Sequence, residues 1–457
     1  MRYCPLILLC LLLASCVAPD PLEAPEGDKA AELVARLKDH PTDVEASADL
    51  LRIQMERSDA EGARLTVEHT MFHCSGDFRA YLLAAQYHRW QLDLLTAEKE
   101  LRKARELVPL RVEPRVALAA LYRDAALDTD ELIQREAAVQ LADDATRAEL
   151  LLDLIYTRAT GGQAQRALDQ ARALANSAAP SLVRCRAWLL ISELALDASD
   201  ETSAVAALLE ARKLEPRDRS VVRFAARLAA ALANPAPLRA MFEDVLAKQE
   251  DPEARFGALF GLWTTDVCLA LRAEKDAFSK EIEATWLRLL EIDEGQPDAL
   301  SRRYLLISLH EHRKPEAERI KQRLEQLGFG APATASSAAA LVRLWRAEDC
   351  LRLGAAHPCL AELDQLMPRE PRMPALKLLR ATGLFVTRQD AACIEYINGL
   401  LAETQGKGDE LIAMKRQIQL RQGKAIELVR ELEGSEPTSQ NDIWVLAVAR
   451  FHTYRVK

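Results

Sequence analysis

The feature that most constrains this chain is a residue pattern that returns far along it. Ala97, Leu101, Ala104 and Pro109 are matched 107 residues later by Ala204, Leu208, Ala211 and Pro216, with the same spacing. Steps of three and four put the first three side chains on one helical face. The proline ends the helix, because it has no N–H and disfavours helix in the residue before it. Alanine at two of the three positions leaves no bulk, so the face must meet another helix at close range. A companion helix precedes each pattern, with Tyr81 and Ala85 before the first and Trp188, Ile191 and Ser192 before the second. A weaker stretch over 40–71 is in phase through Leu50, Leu51, Ala63 and Val67, and Val222, Ala225, Ala226 and Phe242 carry the pattern past Pro216. Such a unit buries its apolar face only by stacking on further copies, and a period of 107 is close to three helix hairpins.

These residues resemble the tetratricopeptide family, whose unit is a 34-residue hairpin of a helix A and a helix B. The resemblance implies an all-α, right-handed α-solenoid of antiparallel helix hairpins, about ten or eleven of them. The chain's 457 residues exceed what one compact core supports, and an array escapes that limit. Composition agrees: Ala, Leu, Arg and Glu dominate, aromatics are 5% and there are only 17 glycines. Period-2 runs with turn dipeptides are absent, which excludes a strand-rich fold. The expected organisation is tetratricopeptide-like repeats over 28–250, degenerate helical hairpins over 251–436, and a capping helix within 437–457. Helices over 251–272 and 275–291 read as longer than usual, and 327–340 as an irregular joint.

The first residues read as an address. Arg2 is a short positive region, Pro5 to Leu13 is an apolar run too short to span a bilayer, and Leu13-Ala14-Ser15-Cys16 follows. This resembles the bacterial lipobox, which implies cleavage of residues 1–15 and lipidation of Cys16, with several acyl chains giving a stable anchor. Residues 17–27, Pro-rich and acidic, fit a flexible tether. Val17, rather than Asp, follows the lipid site, which favours the outer membrane by the enterobacterial rule. The expected location is the cell envelope, facing the periplasm. A net charge of −9 argues against nucleic acid as a partner.

No catalytic constellation, metal site or cofactor site is expected. His69 and His73 share a helix face beside Cys74, with His88 as a conceivable third ligand, but the metalloprotease arrangement is missing. His310 and His312, two apart on a helix, would point to opposite sides and into solvent. Cys350 and Cys359 could meet across a hairpin, although small apolar filler is the favoured reading for all six cysteines beyond Cys16. Neither a phosphate loop nor a nucleophile elbow is present.

In tetratricopeptide arrays helix A lines the concave surface. Carried onto this chain, the inward positions include Arg52, Arg79, Gln86, Arg89, Arg186, Glu193, Arg223 and Arg227. Arginine recurs there against a net acidic chain, and its planar fork suits carboxylates. The groove is therefore expected to take an acidic peptide segment or an anionic polymer. Leu82 and Leu189 stand where the chaperone-tail-binding members carry a lysine, so that particular activity does not transfer. The functional expectation is a non-enzymatic, membrane-anchored scaffold for proteins of the bacterial envelope, in assembly or export of an envelope component. The alternative is a polysaccharide- or peptidoglycan-associated factor or enzyme that uses the same groove.

Overall fold

A computed structural model describes residues 27–455, apart from 331, 333, 372, 405–407 and 436–438. The leader, Cys16 and the tether lie outside the described residues. The described chain is all-α, with twenty-four α-helices and two short 3₁₀ turns. The first and last helices stand alone by order, and the twenty-two between them follow one another as eleven helix–turn–helix pairs. The fold is a tetratricopeptide-like solenoid.

The backbone shows the repeat more plainly than the side chains do. Ser58, Leu92 and Ala126 adopt left-handed φ of 58°, 61° and 53° in the turn between the two helices of three successive hairpins, 34 residues apart each time. Arg388 lies 34 residues after Gly354 in the same conformation, and Gly423 follows 35 later. The strained residue lets helix B turn back on helix A, and an aspartate often follows it. Asp59, Asp93 and Asp200 each accept a backbone N–H from the first turn of helix B, which satisfies a donor the helix itself cannot.

The structure forms two compact units. One comprises the described residues of Met1–Thr157 and Gly408–Lys457, the other those of Arg158–Lys407. The expected boundary near residue 250 falls inside the second unit.

In the first unit, α1 (Gly27–Asp39) packs on α2 (Val44–Glu56), and α2 pairs with α3 (Ala60–His73). The hairpins α4 (Phe78–Trp90)/α5 (Leu94–Leu107) and α6 (Glu113–Asp124)/α7 (Asp128–Leu141) follow, then α8 (Asp144–Thr160), which runs into the second unit. Ala97, Leu101 and Ala104 are wholly or almost wholly buried, as their spacing requires. The C-terminal helices α22 (Asp409–Arg421), α23 (Ala425–Ser435) and α24 (Gln440–Tyr454) return to this unit. There α24 docks on α5, and Val445, Val448, Ala449 and Phe451 join one core with Leu94, Leu101, Leu118 and Leu121. Arg455 completes the contact. It bonds Glu98 at 2.9 Å and Asp130 at 2.8 Å and lies over the Tyr122 ring.

The second unit continues with α9 (Ala164–Ala175), α10 (Ser181–Asp197), α11 (Glu201–Leu214), α12 (Arg219–Ala231), α13 (Arg239–Lys248), α14 (Pro252–Arg272) and α15 (Lys280–Ile292). It ends with α16 (Pro297–Ser308), α17 (Lys314–Gln326), α18 (Ala338–Arg352), α19 (Ala356–Leu366), α20 (Pro374–Val386) and α21 (Asp390–Glu403). The small motif residue Ser192 is fully buried, and its hydroxyl donates to the Ala204 carbonyl at 2.8 Å, tying α10 to α11. At 21 residues, α14 is the long helix its sequence suggests. The helix after it is not long. Glu274 turns left-handed, and Ser279 caps a helix of 13 residues starting at Lys280.

The small residues of α14 serve close packing. A Cβ on Gly261 would lie 2.3 Å from the fully buried Phe242 ring. Gly261→Ala should gain about 1 kcal/mol of helix propensity but lose about 1–3 kcal/mol to overpacking. Thermal unfolding should show a lower Tm for this variant, and a higher Tm would contradict the packing described.

Candidate functional site

The helix A faces expected to bind a partner carry two different electrostatic situations. In the first unit every arginine on that face meets a carboxylate of its own unit. Arg52 bonds Glu56 at 2.9 Å along α2. Arg79 bonds Asp77 at 2.6 Å and Glu45 at 2.7 Å, reaching from α4 to α2. Arg89 pairs with Asp124 of α6, and Gln86 is exposed beside it. Any incoming anion must displace these internal carboxylates, so the forks of Arg52, Arg79 and Arg89 are not open as the sequence suggests.

In the second unit the balance differs. Among the described residues, Arg186 on α10 and Arg223 and Arg227 on α12 have no ion-paired or hydrogen-bonded partner. Arg186 and Arg223 are exposed, and Arg227 is part-buried. Arg223 and Arg227 lie one turn apart on one face, as do Arg186 and Glu193 over two turns. Residues 158–407 hold as many basic as acidic side chains, so the whole net charge of −9 lies in the rest of the chain.

The inner face of this unit is not an open trough along its length. Helix α18 packs against α12 and α14. Arg346 bonds Glu201 at 2.7 Å, and His357 holds Asp197 at 3.0 Å through both its ring and its backbone N–H. This contact covers Arg227, which faces a charged cluster absent from the sequence expectation: Asp298, Arg302, Asp349 and Arg352. Arg302 and Asp349 form a buried pair, and Arg352 lies 3.5 Å from Asp298. Glu348 adjoins the same group, its pKa raised by burial. The open part of the face is therefore the stretch around Arg186 and Arg223.

Glu193 is part-buried, and burial alone pushes its carboxyl up to about 8. Among the described residues no second charged group contributes to this shift. The sign of its linkage is definite. Between the ordinary value of 4.5 and about 8 the folded chain keeps this proton and the unfolded chain releases it, so stability falls as pH rises through that window. Glu193→Gln should match the parent near pH 4.5 and exceed it near pH 8 by about 1–3 kcal/mol, after discounting for its partial exposure. Denaturant titrations at the two pH values check this, and equal losses at both would refute the assignment.

The remaining candidates resolve simply. The His69 and His73 rings lie 4.5 Å apart, but no group of three or more metal-binding side chains occurs among the described residues, and His88 is near Asp93 instead. His310 and His312 are not on a helix. His310 precedes the 3₁₀ turn Glu311–Arg313 and His312 lies within it, their rings are 5.7 Å apart, and His310 packs on Phe278. All six described cysteines are buried, and the Cys393 thiol donates to the Ala381 carbonyl. Burial pushes the Cys359 thiol up to about 12 and raises that of Cys350, so neither is a ready nucleophile.

No family model and no curated protein matches the sequence. Among solved structures, the chain is similar to yeast Tom70 at TM-score 0.25 and 12% identity, over 90% of this chain and 96% of that one. It is similar to Naa15/Naa10 bound to HypK-THB at TM-score 0.24 and 14% identity, over 86% of this chain and 63% of that one. Likeness to the TPR domain of P58(IPK) has TM-score 0.22 and 12% identity, over 90% and 99% of the two chains. These likenesses carry no functional argument.

Proposed function

We propose that this chain is a lipid-anchored interaction scaffold of the bacterial envelope, without catalysis of its own, and that it engages a partner through the helix A face of α10 and α12. The observation that carries this reading is the unneutralised pair Arg186 and Arg223 on a unit whose charges balance overall. An exposed guanidinium without an internal carboxylate keeps its bidentate donors for a ligand. The partner class is an acidic protein segment or an anionic polymer. The anchor is Cys16, in the context Leu13-Ala14-Ser15-Cys16, and the outer membrane is its favoured site because Val17 follows.

Two experiments test the reading. Labelled palmitate should enter the full-length chain in a bacterial host and be absent from Cys16→Ser, and label retained in that variant would sink the anchor. In-cell crosslinking should recover a defined envelope partner, whereas recovery of only random neighbours would sink the scaffold.

A further inference from the structure

Among the described residues the two most exposed large apolar side chains are Phe72, at 81%, and Leu110, at 79%. Phe72 lies at the end of α3, and Leu110 in the turn after α5. Both helices are the second of their hairpin, so the two residues project from the same edge of the first unit. Half-exposed Leu65 extends the Phe72 stripe by two turns, and Leu107 flanks Leu110. Arg111 packs over the Phe78 ring at 5.5 Å, which brings the Leu110 turn beside the start of the preceding hairpin.

We propose that this edge rests on a lipid surface, with Phe72 and Leu110 entering the interface between headgroups and acyl chains. The inference rests on the anchor reading of Cys16. Helix directions alternate from α1 to α3, so the end of α1 lies on the Phe72 edge and its start on the opposite one. The 13 residues of α1 span about 20 Å. The ten residues between Cys16 and Gly27 let the chain reach at most about 38 Å from one to the other. A chain held at Cys16 can therefore lay this edge on the bilayer. Two protruding apolar side chains separated by a hairpin's width present points rather than a groove. A fluid apolar interface accepts points, and aromatic and leucine side chains are the ones that enter it.

The test uses residues 17–457 held to neutral phosphatidylcholine vesicles by an N-terminal hexahistidine and a chelating lipid, so it does not depend on acylation. An environment-sensitive thiol label is placed at Phe72→Cys, at Leu110→Cys, or at exposed Glu61→Cys near the other end of α3. The native cysteines of the described chain are buried and do not compete. Expected is a blue shift and about twofold or greater quenching by a lipid-borne nitroxide at positions 72 and 110 but not at 61. Equal response at all three positions, or no response at 72 and 110, overturns the proposal and leaves the edge to a protein partner. Because the palmitate experiment is separate, the two failures are distinguishable: failure here leaves the anchor standing, and failure there removes the tether that brings this edge to the bilayer.

Discussion

Arg302→Leu is expected to cost the Arg158–Lys407 unit about 3–5 kcal/mol, a fall in Tm of roughly 6–20 °C for a body of that size. Arg302 and Asp349 are 4% and 0% exposed, one on α16 and the other on α18. Arg302 also approaches the Thr264 hydroxyl at 3.4 Å and lies over the Phe260 and Trp345 rings at 5.0 and 5.4 Å. Removing the guanidinium leaves a carboxylate without its counter-charge in a site that water does not reach. Arg352, at 3.9 Å, and Arg227, which also faces this carboxylate, remain as its unbonded neighbours. Most of the loss is thus the cost of an uncompensated buried charge rather than of a missing attraction. Arg302→Leu combined with Asp349→Leu should recover much of it, because an apolar pair of similar volume needs no partner. Denaturant melts of both single variants and the double variant check this. Loss below about 1 kcal/mol in the singles, or simple addition in the double, would contradict the burial described.

Ending the chain at Ser435 should be comparably damaging to the first unit. The truncation removes α24 and with it Val445, Leu446, Val448 and Phe451, all buried. At about 1.5–3 kcal/mol for each large apolar side chain, the lost burial is on the order of 6–12 kcal/mol. It also removes Arg455, leaving Glu98 with Arg102 and the Tyr122 hydroxyl as partners. Few domains hold that much stability in reserve. The expected result is proteolysis within residues 27–157 while fragments from 158–407 persist, read by limited digestion and mass spectrometry. Equal protease resistance of the truncated and complete chains would show that α24 is an ornament on a unit that folds without it.

The alternation of helices was legible because it is written in alanine. Ala97, Ala104, Ala204 and Ala211 sit where helices touch, and nothing larger fits. The left-handed turns were not legible. Leu92, Ala126, Glu274 and Arg388 occupy backbone positions that glycine would advertise, and only Leu92 is followed directly by a capping aspartate, Asp93. Return of α24 to α5, and of α18 to α12, was also hidden. Both contacts join residues far apart in the chain, and a nearest-neighbour reading of repeats contains no such pairs. That second contact is why Arg227 is covered rather than open. Arg52, Arg79 and Arg89 look alike in sequence to Arg186 and Arg223, because register places a residue on a face without revealing which carboxylate comes to meet it.

The most direct test of the account is in-cell crosslinking at equal abundance of the parent chain, an Arg186→Ala/Arg223→Ala variant and an Arg52→Ala/Arg79→Ala variant. The account predicts that the envelope partner is recovered by the parent and by the second variant, and lost severalfold by the first. If the first variant keeps the partner while the second loses it, or if both keep it, the unpaired arginines of α10 and α12 are not the binding face.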